Sequence, residues 1–207
     1  MSVTASSLHS LTNDPSTLTL SPGVQPTDLQ RQHIAVVLDL FQARGTKAKL
    51  DDNFTKDAVY EDLFASCKTR EEVGGQLLHL PTVLSSGTTQ SYIVSQITPN
   101  TSTTDGTGRT LSTDLISIPI KHTFEFKVPL LPSKLKSVTM DSTLEISSSK
   151  DEEGGKIVRL QDRPKENIPD FALLNWMRKF NAETVPKVVP LPKNDKEDAE
   201  KALKQQI

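Results

Sequence analysis

The chain has one cysteine, one tryptophan and two tyrosines among its 207 residues, no long apolar run, and a net charge of only −2. Each shortage excludes something. The lone Cys67 rules out an internal disulfide and fits a reducing compartment. A membrane-spanning helix needs about 20 consecutive apolar residues, and no run approaches that. The basic residues are scattered among acids, so no broad positive field exists for nucleic acid. No basic start followed by an apolar core opens the chain; a secretory signal is not expected, and the protein reads as cytoplasmic. In that compartment Asn53-Phe54-Thr55 and Asn100-Thr101-Ser102 stay unglycosylated. The four histidines lack paired-ligand spacing, and no Gly-rich phosphate loop occurs, so neither a metal nor a cofactor is expected.

What is present is a change of texture along the chain. Residues 1–25, rich in Ser, Thr and Pro, cannot bury enough surface to offset their ordering entropy and are expected to form a flexible arm. Thr27 or Asp28 can cap a helix in which Leu29, Ile34, Val37, Leu38 and Phe41 recur at helical spacing, with Gly45 as its stop. Residues 50–54 read as a helical turn and 58–62 as a short strand. Thr69, with Glu72 three residues on, opens a second helix that frays by 85–87. Beyond Gly87 β-formers dominate. Strands are expected over 88–98, 109–118, 122–128, 135–147 and 156–163, with a polar loop over 99–108, a bulge or bend at Pro119 and a tight acidic turn over 151–155. Short connections without crossover helices favour antiparallel pairing. A further helix over 170–184 carries Phe171, Leu174, Met177 and Phe180. The expected domain therefore covers 26–186, followed by a Pro-rich, charged tail over 187–207. Helices followed by strands is an α+β order.

The stretch Asp57-Ala58-Val59-Tyr60-Glu61-Asp62-Leu63-Phe64, followed by Thr69-Arg70-Glu71-Glu72-Val73, resembles the signature of the nuclear transport factor 2-like (SnoaL-like) superfamily. The segment Trp176–Asn181 and the Pro-rich end resemble uncharacterised fungal members. The resemblance implies a cone-like curved antiparallel sheet wrapped around two or three helices, with a C-terminal helix and a hydrophobic pocket. It implies a small lipophilic ligand and, if catalysis occurs, cofactor-free isomerisation, dehydration or cyclisation. The alternative is a non-catalytic module that uses the outer sheet face for homodimerisation or another protein contact. In ketosteroid isomerases an aspartate at the end of this short strand is the general base, and Asp62 matches it. Their oxyanion tyrosine on the first helix has no counterpart, since that register offers Leu38. Scytalone dehydratase-like enzymes place a tyrosine on the same strand, matched by Tyr60. Their histidine on the next strand is replaced by Ser91, while their second histidine, on a later strand, is matched by His122.

Strand alternation sets Tyr60 and Asp62 on one face and Glu61 on the other. Asp62 is the candidate base, with Tyr60 and His122 as hydrogen-bond donors. The plainer readings are that Asp62 caps a loop or meets an arginine, and that Tyr60 packs and finds a polar partner. His122 shares a face with Phe124 and Phe126; it is either a polar group in an apolar pocket or a satisfied core histidine. Tyr92, Phe64, Phe124 and Phe126 are the candidate ligand-binding side chains. Arg159 and Arg163 alternate onto one face as a possible anion contact or a solvated edge. Cys67 reads as an ordinary free thiol.

Overall fold

A computed structural model describes residues 11–63, 65–80, 84–127 and 136–165. The expected helix over 170–184, the tail over 187–207, Trp176 and the ligand candidate Phe64 lie outside the described residues.

Among the described residues three α-helices accompany the sheet, two before its first strand and the third between its second and third strands. α1 (Asp28–Phe41) is capped at Thr27, whose hydroxyl accepts from the Gln30 amide while the Gln30 side chain accepts from the Thr27 amide. This reciprocal pair satisfies two of the donors that a helix start leaves orphaned. α2 (Lys47–Asn53) begins at Thr46, and α3 (Arg70–Leu77) begins at Thr69, which accepts from the Glu72 amide. α3 stops well short of the expected end, and β-structure resumes at Leu84. Gly74 and Gly75 weaken its last turn.

The sheet contains β1 (Phe54–Glu61), β2 (Ser66–Cys67), β3 (Leu84–Tyr92), β4 (Gln96–Thr104), β5 (Thr110–Phe126), β6 (Ser137–Ser149) and β7 (Lys156–Pro164). Its order is β2-β1-β7-β6-β5-β3, with β4 also on β5. The sheet is curved and unclosed, and the fold is α+β, as expected. It is not wholly antiparallel: β1 runs parallel to β7. Parallel neighbours need a long crossover, and here nearly the whole intervening chain supplies it. The inner face of the sheet carries Ile116, Ile118, Ile120, Leu144, Ile146 and Leu160, all buried in one core with Ile34, Leu38 and Phe41 of α1.

Pro119 makes no bulge in β5. The strand runs through it in unbroken register with β6, Pro119 facing Thr143. The Pro119 carbonyl accepts from the Ile93 amide at 3.2 Å. Its missing N–H therefore faces the neighbour on that side, where the chain passes from β3 to β4 and leaves the ladder. The proline thus marks an interruption in its partner. The expected strand 88–98 divides there, because Val94 turns inward to full burial and bridges Leu20. The expected loop over 99–108 is mostly strand. β4 is an edge that pairs only with β5, so Pro99 is tolerated, and the register shift between Thr98 and Thr101 coincides with Asn100 at φ 55°. The β4–β5 turn packs tightly: the Gly106 amide donates to the Asp57 carbonyl at 2.8 Å, and a Cβ on Gly106 would fall 1.8 Å from the Lys68 carbonyl oxygen.

Residues 11–25, read from sequence as part of a flexible arm, lie against the body. Leu18 is buried, and Leu11, Leu20 and Val24 pack on the core. The Thr12 and Asn13 amides and the Asn13 side-chain amide all donate to the Asp39 carboxylate of α1. Asp39 and its partner Lys49 of α2, 2.9 Å apart, are both buried. An ion pair taken out of water needs its remaining lone pairs filled, and these donors fill them. The few large apolar residues of the segment are placed so that each one reaches the core, which composition alone does not reveal.

Candidate functional site

The end of β1 brings together the residues that the sequence singled out. Tyr60 sits between Leu160 of β7 and Cys67 of β2 and is almost wholly buried. Its hydroxyl donates to Asp62 Oδ2 at 2.7 Å, while the Ala65 amide donates to Asp62 Oδ1 at 2.6 Å. Both plain readings are therefore met: Asp62 caps the β1–β2 loop, and Tyr60 finds a polar partner. Two donors on two oxygens suit an ionised carboxylate. Burial, then the charges of Asp62 and Asp162, push the Tyr60 phenol well above its ordinary pKa, so Tyr60 stays protonated and remains a donor.

Asp162 of β7 completes the cluster. Burial pushes its carboxyl up to about 6, against the Ser142 hydrogen bond that lowers it, and the Asp62 charge adds to the rise. Its Oδ1 is shut off from solvent and has no hydrogen-bond partner. Such an atom is costly in a folded protein, and buried carboxyls with raised pKa values concentrate at functional sites. The sequence carried a signal for it. In β7, Arg159, Gln161 and Arg163 alternate onto the outer face, so Leu160 and Asp162 share the inner one. An acid in phase with the core residue Leu160 is the anomaly, and attention to the arginines obscured it.

His122 does not join this cluster. On the sheet it stands two strand spacings and four residues from Asp162, roughly 15 Å. It is a buried histidine of the inner face, with Nδ1 3.1 Å from Thr89 Oγ1, its ring edge-on to Phe41 and 4.5 Å from the Phe124 ring. Burial drives its pKa down to about 4, and the Phe41 carbonyl opposes this only partly. The trio of base and two donors is thus divided, because Tyr60 and His122 lie at separate ends of the inner face. Phe124 and Phe126 pack around the His122 end, partly and largely buried. Tyr92 contacts the N-terminal segment: its hydroxyl accepts from the Thr19 amide at 3.3 Å.

The arginine pair is occupied. Arg159 and Gln161 both donate to Glu61 Oε2 at 2.6 Å, and Arg163 lies 2.8 Å from Glu145. Among the described residues both guanidiniums are thus paired with carboxylates. Burial pushes the Cys67 thiol up to about 12, which removes it as a nucleophile. Among the described residues no group of three or more His, Cys, Asp and Glu could hold a metal ion, and no helix is long and apolar enough to cross a membrane.

No protein-family model matches the chain, and no curated protein matches it. Solved structures do. A Kribbella flavida protein, Kfla4162, aligns with a TM-score of 0.48 at 8% identity, covering 67% of this chain and 89% of its own. An NTF2-like protein of unknown function from Exiguobacterium sp. 255-15 aligns with a TM-score of 0.42 at 14% identity, covering 65% and 99%. A protein described as a SnoaL-like polyketide cyclase from Jannaschia sp. CCS1 aligns with a TM-score of 0.43 at 13% identity, covering 77% and 99%. Likeness at this level bears on neither activity nor ligand; the fold stands on the helices and strand order described above.

Proposed function

We propose that the chain binds a small lipophilic molecule on the inner face of its sheet and moves a proton on it without a cofactor, as in an isomerisation, dehydration or cyclisation. One observation carries the reading: the buried, unpartnered Asp162 carboxylate oxygen beside the Tyr60–Asp62 pair. Two carboxyl groups in different surroundings can divide the roles of acid and base. Asp62, held by Tyr60 and Ala65, is the base. Asp162, with its pKa near 6, holds and returns the proton. Tyr60 acts through Asp62 as a positioning residue. A hydrophobic pocket over this cluster is part of the proposal.

The reading of the outer sheet face as a protein contact has no observation in its favour. Among the described residues Leu63, on the β1–β2 loop, is the exposed large hydrophobic side chain, and the outer faces of β5 and β6 show none.

The test is mass spectrometry of small molecules that co-purify with the native full chain, compared with Asp62→Asn and Asp162→Asn. The proposal expects an apolar compound in the wild type, bound also by the variants but converted only by the wild type. Variants that convert it at the wild-type rate, or a wild type that retains no compound and binds none from a panel of lipophilic ketones and alcohols, would overturn it.

A further inference from the structure

Asn13 begins a continuous hydrogen-bonded line that runs from the N-terminal segment into the body. The Asn13 side-chain amide donates to Asp39 Oδ1 at 2.6 Å and to Gln42 Oε1 at 3.1 Å. Gln42 Nε2 donates to Thr89 Oγ1 at 3.1 Å, and Thr89 Oγ1 lies 3.1 Å from His122 Nδ1. The direction of the line is set at Gln42. Its Oε1 also accepts from Arg44 at 3.1 Å, and a guanidinium can only donate. The oxygen must therefore face Arg44 and Asn13, which turns the Gln42 NH2 group toward Thr89. With one lone pair of Thr89 so used, its own proton is free for His122 Nδ1. At the far end His122 Nε2 is shut off from solvent and has no hydrogen-bond partner, so the contact with Thr89 at Nδ1 is the ring's link to the line. The rest of the segment docks separately on the break between β3 and β4, with Ser21 donating to the Val94 carbonyl at 3.0 Å and Val94 to that of Thr19 at 2.9 Å.

We propose that residues 11–24 form a latch: the segment docks and releases as a unit on the Asp39–Lys49 pair, and the line Asn13–Gln42–Thr89–His122 transmits its state to the inner face, holding His122 as the Nε2–H tautomer while the latch is closed. Release strips Asp39 of three donors and leaves Gln42 without Asn13, so the wall formed by Phe41, His122 and Phe124 changes with it. The reasoning does not depend on the proposed proton chemistry, since it involves none of Tyr60, Asp62 or Asp162.

Amide exchange and ring-nitrogen NMR shifts of His122 in the full chain test this, comparing the wild type with Asn13→Ala and Asn13→Asp. The wild type should show the Nε2–H tautomer. Asn13→Ala removes hydrogen bonds to a charged acceptor and should speed exchange at Thr12, Thr19 and Ser21 together by at least about tenfold, with β5 and β6 still protected. Asn13→Asp sets a second carboxylate against Asp39 and should release the segment fully. In both variants the His122 ring-nitrogen shifts should move. An Nδ1–H tautomer in the wild type, loss of protection in β5 together with the segment, or a released segment with unchanged His122 signals would each overturn the latch. Asn13→Ala keeps the comparison decisive if Asn13→Asp does not fold.

Discussion

Replacing Asp162 with Asn should make the protein more stable at neutral pH and leave it unchanged in acid. In the folded chain burial raises the Asp162 carboxyl from 3.8 to about 6. The native state thus binds this proton more tightly than the unfolded chain does, and the contribution of Asp162 to stability falls as pH rises from about 4 to about 6. A rise of about two units at 1.36 kcal/mol each sets a ceiling near 3 kcal/mol on the destabilisation above pH 6. Asparagine keeps the shape, still accepts from Ser142, and carries no charge to desolvate or to oppose Asp62. Urea denaturation at pH 7.5 should therefore show Asp162→Asn more stable by about 1–3 kcal/mol, with the difference gone at pH 3.5. A variant that is less stable at pH 7.5, or whose advantage is the same at both pH values, would refute the reasoning. The expected outcome has a functional side as well, for a carboxylate that weakens the fold is one the fold does not require.

Two further outcomes follow from buried contacts elsewhere. Lys49→Met leaves the buried Asp39 carboxylate without its cation and should cost about 3–5 kcal/mol in chemical denaturation, far more than an exposed lysine would. Gly106→Ala drives a methyl group into the Lys68 backbone, which cannot yield as a side chain could; it should lower stability by about 3 kcal/mol and speed amide exchange at the β4–β5 turn and at Asp57.

The starts of α1 and α3 were legible because capping is local: Thr27 and Thr69 each accept from the amide three residues on, whereas α2, expected as a turn over 50–54, begins earlier at Thr46. The Tyr60–Asp62 pair was legible for the same kind of reason, since a period of two sets both on one face whatever surrounds them. Asp162 and Tyr60 are 102 residues apart in the chain and meet only because β1 lies beside β7, a parallel pairing that short-range connection rules argued against. His122 was joined to the candidate site through its chemistry, but its place along β5 follows from register, and register sends it to the other end of the face. The N-terminal segment was misread because composition averages over residues, whereas Leu18 and Leu20 act at particular positions.

By itself, then, the amino-acid sequence determined the caps of α1 and α3, the alternation of the strands, the α+β order and the face that Tyr60 shares with Asp62. All of these arise from interactions within a few residues, where geometry follows from the chain. Tertiary structure alone decided that a second carboxylate joins that pair, that the two outer arginines are already neutralised, and that the buried Asp39–Lys49 pair receives residues 12 and 13. Those outcomes depend on which distant strands become neighbours and on how deeply each group is removed from water. Burial and proximity are properties of the packed whole, and they are what raise the carboxyl of an ordinary aspartate to about 6.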